Sequence, residues 1–419
     1  MRLIEDLSAR GLVYQSTDEH LDDILAAKPT TVYCGFDPSD SSLHVGSLLP
    51  ILGLVRFQRA GHRPIALAGG GTGLIGDPSG KTEERQLLTM EALEANVAGI
   101  REQLGRFIDL DDGAGLMLNN ADWLCAFRFT DFLRDVGKHF SVSQMLAKES
   151  VKARLEVGIS FTEFAYVLLQ SYDFYHLFTE QGCTVQIGGQ DQWGNITAGI
   201  DYVRRLTGAQ VYGLTFPLIT SATGKKFGKT EAGTVWLDAG RTSPYRLYQY
   251  FINTPDDDVV RYLKYFTLLD LDEIADLETQ VADAPQARAA QQRLAAEVTT
   301  LVHGRAATAQ AERATAVLFG GAIEDLTDDL LEDIFAEVPR GSVTRDALSA
   351  GLALVDALIA VGAATSKGEA RRLIAQGGAY VNNQRVEDAD RTLTTAHLAS
   401  PGFIVLRSGR KRYFLLRVE

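Results

Sequence analysis

Thr31-Val32-Tyr33-Cys34-Gly35-Phe36-Asp37-Pro38, running on to Leu43-His44-Val45-Gly46, is the stretch that decides the fold of this chain. Val32, Cys34 and Phe36 alternate with Thr31, Tyr33 and Gly35, the period of a strand with one face buried. Asp37-Pro38 closes the strand and Ser41-Ser42 supplies capping hydroxyls. Leu48, Leu49, Ile51, Leu52 and Val55 then recur at helical spacing. A strand that delivers a polar loop to a helix start presents backbone N–H groups that attract anions. A histidine in that loop can donate to a phosphate, whereas a carboxylate such as Asp37 would repel one. The segment predicts a nucleotide site, although a purely structural corner would look the same.

Up to about residue 220, short apolar strands alternate with amphipathic helices. Pro64 to Ala68 and Thr184 to Ile187 read as further strands, so the class is α/β with a parallel sheet. Residues 120–180 read as a helical insertion with Phe129, Phe132, Leu133, Val136 and Phe140 on one face, a candidate interface. From Ser243 to about Phe319 helices are expected over Tyr245 to Ile252, Asp256 to Phe266 and around Arg288 to Thr300. Pro339-Arg340-Gly341-Ser342 then suggests a hinge. A small tail domain would contain helices Leu352 to Val361 and Lys367 to Gln376, and a strand Ala379 to Val381 turning at Asn382-Asn383. The expected boundaries are 1–225, 226–325, a linker over 326–349, and 350–419.

A chain of 419 residues is too long for one compact domain, and roughly two to three are expected. Cys34, Cys125 and Cys183 form no CxxC pair and leave an odd count, which argues against a disulfide framework or a zinc site. The N-terminus carries Glu5 and Asp6 where a signal peptide needs an apolar run, and no stretch reaches the ~18 apolar residues of a membrane span. A reduced, cytoplasmic protein with no membrane segment is the expectation. Residues 341–419 hold 11 Lys and Arg against 7 Asp and Glu, leaving 30 against 47 in the rest. An acidic body with a basic tail suits nucleic acid, and also a solvated basic surface.

Gly71-Thr72-Gly73-Leu74-Ile75-Gly76 follows a strand and fits G-x-G-x-x-G. Its third Gly should open a helix, yet Asp77-Pro78-Ser79-Gly80 reads as a turn, so the dinucleotide reading is rejected. Gly76 to Lys81 mimics a P-loop one residue too short. A Gly-rich wall where substrate approaches the backbone fits better. Lys225-Lys226-Phe227-Gly228-Lys229-Thr230 reads as a loop that can bring lysines to a polyphosphate, and equally as a solvated loop. On a helix through Phe161 to Phe174, Tyr166, Gln170 and Asp173 share one face, as in a small-molecule pocket or a satisfied core network. Gln186 to Asn195 repeats the pattern of strand, Gly-Gly bend and polar helix start.

YCGFDP, GLIGDPSGK, GKHFSV, FTEF, LQSYDF, QIGGQDQWGNITAG and KFGKTE, in this order and spacing, resemble the bacterial tyrosyl-tRNA synthetases, of the class I aminoacyl-tRNA synthetases, essentially end to end. His44-Val45-Gly46 resembles the start of the class I HIGH signature, and Lys226 to Thr230 its KMSKS loop. The resemblance implies a Rossmann-like catalytic domain with a helical insertion, an all-helical domain and a small α+β S4-like RNA-binding domain. It implies L-tyrosine, ATP with accompanying Mg²⁺ and tRNA(Tyr) as partners, no tightly bound metal, and a homodimer.

By the same resemblance, Tyr33 and Asp173 bind the substrate phenol, and Asp77, Tyr166 and Gln170 its ammonium. Cys34, Gly35, Asp37, Gly46, Ser47, Gly189, Asp191 and Gln192 line the adenylate. Ser39 and His44 lie near the triphosphate, and Lys226 and Lys229 stabilise pyrophosphate departure. Lys367, Arg371, Arg372, Arg407, Arg410, Lys411 and Arg412 are the implied RNA-binding cations. Phenylalanine would leave Tyr33 and Asp173 unpaired, so no editing domain is expected. A dinucleotide-dependent oxidoreductase, resting on the G-x-G-x-x-G string, and a non-catalytic RNA-binding protein, against which intact Tyr33, Asp173 and Lys229 speak, are the rival readings; within the family tryptophan activation is the nearest alternative, and its substrate lacks the phenol that Tyr33 and Asp173 are placed to read.

One departure from the signature is Ser47, where the family carries a second histidine that contacts the ribose. A serine hydroxyl is shorter: either it reaches that position through water or the contact is lost. Ser47→His should change kcat/KM for ATP by less than ~10-fold, about 1.4 kcal/mol, in a pyrophosphate-exchange assay.

Overall fold

The computed structural model describes residues 1–419 except 80–87, 156–157, 221–223, 225–226, 231–232, 319, 322, 324–325 and 410, and except the side chains of 149, 150 and 153. Two compact units result: Met1–Thr242 with Thr254–Ala290, and Ser243–Asn253 with Gln291–Glu419.

The first unit is built on strands β1 (Gln15–Ser16), β2 (Thr31–Phe36), β3 (Arg63–Ala68), β4 (Leu116–Asn119), β5 (Cys183–Gly189) and β6 (Tyr212–Phe216), in the order β1-β6-β5-β2-β3-β4. Strands β2 to β6 pair in parallel, and β1 closes one edge antiparallel to β6. The chain leaves β2 toward β3 and β4, then returns to lay β5 and β6 on the other side. The strand order therefore reverses between β2 and β5, and a crevice opens at their carboxyl ends. Both faces of this sheet are covered, as parallel sheets require. Tyr33, which alternates with Val32 and Cys34 along β2, is accordingly 1% exposed.

Helix Leu48–Arg59 follows β2 and packs closely on the sheet. A Cβ on Gly53 would stand 2.5 Å from Phe216 Cζ and 3.3 Å from Ile187 Cδ1. Its far end carries Arg56, buried, whose guanidinium donates to the carbonyls of Thr267 (2.7 Å), Lys264 (3.1 Å) and Tyr265 (3.4 Å) at the end of helix Asp256–Phe266. Burial pushes the Arg56 guanidinium down to about 9. The helices expected as one domain over 226–325 thus fall in both units. The insertion comprises Ala121–Leu124, Phe129–Asp135, Val142–Leu146, Glu149–Leu155 and Phe161–Gln181. The last of these is held at its start by a buried Arg154–Glu163 ion pair, Nη2 to Oε2 2.9 Å. Strands β7 (Lys229–Thr230) and β8 (Gly233–Thr234) form a small hairpin.

The second unit takes helix Pro244–Ile252 and most of helix Ala289–Leu318, which is broken at Gly304 (φ 84°, ψ 167°). Its strands are β9 (Arg340–Val343), β10 (Leu352–Ala353), β11 (Ala379–Val381), β12 (Gln384–Val386), β13 (Thr392–Leu393), β14 (Phe403–Ser408) and β15 (Arg412–Val418). The larger sheet runs β12-β11-β14-β15-β9. The expected hinge at Pro339 to Ser342 is instead β9, parallel to β15, and the expected linker also carries helix Asp328–Ile334. Backbone pairing with the C-terminal strand outweighs the local Pro-Gly signal. The Asn382-Asn383 turn joins β11 to β12 with φ of 48° and 64°. Asn382 secures that left-handed conformation by donating to His397 O (2.7 Å) and accepting from Val405 N–H (3.0 Å).

Among the described residues no helix is long and apolar enough to cross a membrane. In an open helix Gly→Ala gains about 1 kcal/mol, but overpacking a buried contact costs ~1–3 kcal/mol. Gly53→Ala should therefore lower stability in urea unfolding rather than raise it.

Candidate active site

A cavity of ≈ 450 Å³ opens at the carboxyl ends of β2 and β5. Strand β2 supplies Tyr33 and Cys34 and leads to Asp37. Helix Phe161–Gln181 presents Tyr166, Gln170 and Asp173 on one face. Strand β5 ends in the Gly188-Gly189 bend before Asp191 and Gln192. His44, Gly46 and Ser47 line the same cavity from the loop and the helix start.

Asp173 lies 2% exposed on the cavity wall. Its Oδ1 accepts from Trp123 Nε1 (2.7 Å) and its Oδ2 from Asn120 Nδ2 (2.9 Å). Burial raises its pKa to about 7 against the pull of those two donors, and the nearby Asp37 charge adds to the rise. Tyr33, edge-on to Phe174 at 5.3 Å, is fully buried and its hydroxyl has no hydrogen-bond partner. Burial first, and then Asp173, push that hydroxyl well above the usual tyrosine range. Gln186, the register partner of Tyr33 on β5, also lines the cavity with Oε1 unpartnered.

The remaining polar groups form two clusters. Asp37 accepts from Thr72 Oγ1 (3.0 Å) and from Tyr166 Oη (3.2 Å), while Asn120 Nδ2 donates to Thr72 Oγ1 (3.0 Å). Gly69 must be glycine here, because a Cβ would stand 2.5 Å from Asp37 Oδ1. In the second cluster Gln192 Nε2 donates to Asp77 (2.7 Å) and Asp191 (3.0 Å), and its Oε1 accepts from Gln170 (3.2 Å) and Asn195 (3.3 Å). Asp77 also caps its own turn through Ser79 N–H (2.8 Å). Cys34 is buried, and burial pushes its thiol up to about 12, with Asp191 adding to the rise.

His44 Nδ1 accepts from Gly46 N–H at 3.0 Å, so the neutral ring carries its proton on Nε2 and offers it as a donor. A Cβ on Gly46 would lie 2.7 Å from the His44 ring. Phe227 also lines the cavity, its ring stacked on Phe266 at 4.8 Å, while Gly228 (φ 78°) packs against Val45. Lys229 and Ser39 are exposed and lie outside the cavity lining; Gly35 lies on it. Lys226 and Arg410 fall outside the described residues.

In the tail, Lys367, Arg371 and Arg372 are exposed on helix Lys367–Ala375, as are Lys411 and Arg412 on and beside β15. Lys367 pairs with Asp356 at 2.8 Å. Arg407 is half-buried instead, its guanidinium 3.9 Å from the Tyr380 ring centroid and 5.6 Å from that of Tyr413. Sequence reasoning missed Asn120, Trp123, Thr72, Gln186 and Asn195. Asn119-Asn120 at the end of an apolar strand was the available signal for the first, by the rule that site residues follow parallel strands. Among the described residues no group of three or more His, Cys, Asp or Glu is placed to hold a metal.

A parallel sheet with its site at the strand reversal, a histidine loop and a lysine hairpin define a class I aminoacyl-tRNA synthetase. Residues 25–320 match the family described as tRNA synthetases class I (W and Y), and residues 330–416 match the tyrosine–tRNA ligase SYY-like C-terminal domain. The tyrosine–tRNA ligase of Roseiflexus castenholzii is 55% identical over 421 residues, covering 99% of each chain. That of Geobacillus stearothermophilus is 52% identical over 421 residues, covering 100% of each. A C-terminally truncated mitochondrial tyrosyl-tRNA synthetase of Aspergillus nidulans superposes with a TM-score of 0.68 at 31% identity, over 76% of this chain and 94% of that one. A tryptophanyl-tRNA synthetase of Encephalitozoon cuniculi shares the fold at 16% identity and TM-score 0.55, over 74% of this chain and 87% of that one. The chain belongs to the tyrosine–tRNA ligases. It activates tyrosine with ATP and charges tRNA with it.

The raised pKa of Asp173 has a definite sign. Protonated Asp173 suits the fold, so its stabilising contribution is complete below the unfolded value of about 3.9. That contribution is lost as pH rises through about 7. Asp173→Asn should flatten the decline of Tm between pH 4 and pH 8 in ligand-free protein, and should weaken tyrosine binding.

Proposed function

We propose that the residues on this cavity divide tyrosine activation between an amino-acid half and a nucleotide half. Tyr33 and Asp173 read the phenol; Asp77, Tyr166 and Gln170 receive the ammonium. Cys34, Gly35, Asp37, Gly46, Ser47, Gly189, Asp191 and Gln192 line the adenylate. His44 and Ser39 act at the triphosphate with Lys226 and Lys229. The observation that carries this reading is the buried, unpartnered Tyr33 hydroxyl sharing a wall with the Asp173 carboxylate. An orphaned buried hydroxyl costs ~1–3 kcal/mol, a cost that a substrate phenol relieves.

The tyrosine carboxylate attacks the α-phosphorus of ATP, a P–O bond forms, and the bond to pyrophosphate breaks. A carboxylate needs no general base, so positioning and charge stabilisation supply the rate. Nε2–H of His44 donates to phosphate oxygen as charge builds there. A ribose hydroxyl at the tRNA end then attacks the tyrosyl carbonyl and AMP leaves. Mg²⁺ arrives with ATP as part of the substrate. Residues 1–225 form the catalytic domain, 226–325 the lysine loop and a helical tRNA-side region, and 350–419 the RNA-binding domain. Of the face expected at Phe129, Phe132, Leu133, Val136 and Phe140, Val136 is buried and Phe132 and Phe140 pack against the core, whereas Phe129 and Leu133 are exposed, as are Val142, Leu146 and Phe161, and this exposed apolar surface of the insertion supports a cytoplasmic homodimer.

Two variants test the division. His44→Ala should slow tyrosine-dependent ATP–pyrophosphate exchange by ~100-fold or more while tyrosine affinity in equilibrium dialysis stays within about twofold; a matching loss of tyrosine affinity would overturn the assignment. Arg371→Gln with Arg372→Gln should weaken charging and reduce the salt dependence of tRNA binding by about one unit of log–log slope or more, leaving the exchange reaction intact.

A further inference from the structure

The histidine loop and the base of the lysine hairpin form one hydrogen-bonded assembly. Beyond β8 the chain runs antiparallel to Leu43–Val45: Val45 N–H donates to Val235 O (3.0 Å) and Leu237 N–H to Leu43 O (2.8 Å). On the hairpin side Val235 N–H donates to Gly228 O (2.9 Å). This short ladder sets Trp236 directly opposite His44, with the two rings edge to face at 6.4 Å and 68°.

The indole is itself held. The Arg241 guanidinium carbon lies 3.5 Å from the Trp236 ring centroid, a close cation–π stack. The same guanidinium pairs with Asp40, Nη2 to Oδ2 3.3 Å, in the loop that leads to His44. The backbone N–H of Trp236 donates to Thr242 Oγ1 at 3.0 Å, which fixes the main chain beneath the indole. Arginine suits this position because its planar fork stacks and pairs at once, which an ammonium cannot do. Asp40, Trp236 and Arg241 all lie outside the cavity lining.

We infer that Trp236, clamped by Arg241 and Asp40, is a positioning residue for His44 in adenylate formation, and that the clamp keeps the histidine loop and the lysine hairpin at one spacing. His44 is held over Gly46 by the hydrogen bond to its Nδ1, and the Trp236 ring stands beside it, centroid to centroid 6.4 Å. A donor aimed at developing charge loses much of its effect when displaced by about 1 Å. The inference rests on His44 acting at the ATP phosphates, as proposed above.

The test is a double-mutant cycle on the full chain, read by tyrosine-dependent ATP–pyrophosphate exchange. Trp236→Ala should lower kcat by ~10-fold, with tyrosine Kd within about twofold of the parent. Trp236→Phe, which keeps an aromatic edge and a stacking face, should recover to within ~3-fold. In a His44→Ala background Trp236→Ala should cost less than ~2-fold, because there is no ring left to position. Equal penalties in both backgrounds, or an unchanged kcat for Trp236→Ala, would overturn the clamp. Arg241→Gln, at the surface, serves if Trp236→Ala does not fold: a kcat loss of ~3-fold that vanishes without His44 supports the clamp, and an additive loss refutes it. His44→Ala with undiminished exchange would instead sink the role of His44, a result distinct from an additive cycle in which only the clamp fails.

Discussion

A carboxyl group buried where a parallel sheet opens is the constraint around which this site is organised. Burying a carboxylate costs several kcal/mol unless hydrogen bonds meet it, and Asp173 is met on both oxygens, by Asn120 and Trp123. Those donors must come from the end of β4 and from the short helix after it. The helix that carries Asp173 is therefore tied to the far edge of the sheet. The same Asn120 amide reaches Thr72, and Thr72 reaches Asp37, which also accepts from Tyr166. One chain of hydrogen bonds thus runs along the cavity wall from Asp173 through Asn120 and Thr72 to Asp37 and Tyr166.

This arrangement suits a reaction whose nucleophile and leaving group both belong to substrates. No side chain has to attack or to remove a proton in activation, so the useful property of the site is order before substrate arrives. Gln192 illustrates it, with one amide holding Asp77, Asp191, Gln170 and Asn195 together. The ladder between Leu43–Val45 and Val235–Leu237 does the same for the two loops directed at phosphate. Tyr33 Oη and Gln186 Oε1, register partners on β2 and β5, are the buried cavity-wall atoms without a hydrogen-bond partner among the described residues.

Much of this was legible locally. Strand Thr31–Phe36, helix Asp256–Phe266 and strand Ala379–Val381 match their sequence expectations residue for residue, because each combines a clear period with strong boundary residues. On the cavity wall Tyr33, Asp37, His44, Tyr166, Asp173 and Gln192 were among the residues named in advance, since motif order places them on strand ends, loops and one helix face. The failures have physical causes. The helices expected as one domain over 226–325 fall in two units, because contacts between segments distant in sequence set unit boundaries and helical periodicity does not record them. Pro339 to Ser342 looked like a hinge because Pro and Gly are weighed locally, and pairing with a strand some 70 residues later is not. For Arg407, named from its charge, the sequence carried no sign that its guanidinium stacks on Tyr380.

The sequence by itself determined the class of fold, the order of the motifs, the family and the chemistry, since these depend on residue identity and spacing along the chain. Only the tertiary structure decided which polar groups answer one another. It joined Asn120 and Trp123 to Asp173, Tyr166 to Asp37, and Trp236 to His44. These partners lie between about 50 and 190 residues apart, and their meeting depends on strand order and on burial, which turns an unpaired group into a cost that must be met nearby. Local pattern carries no record of that accounting.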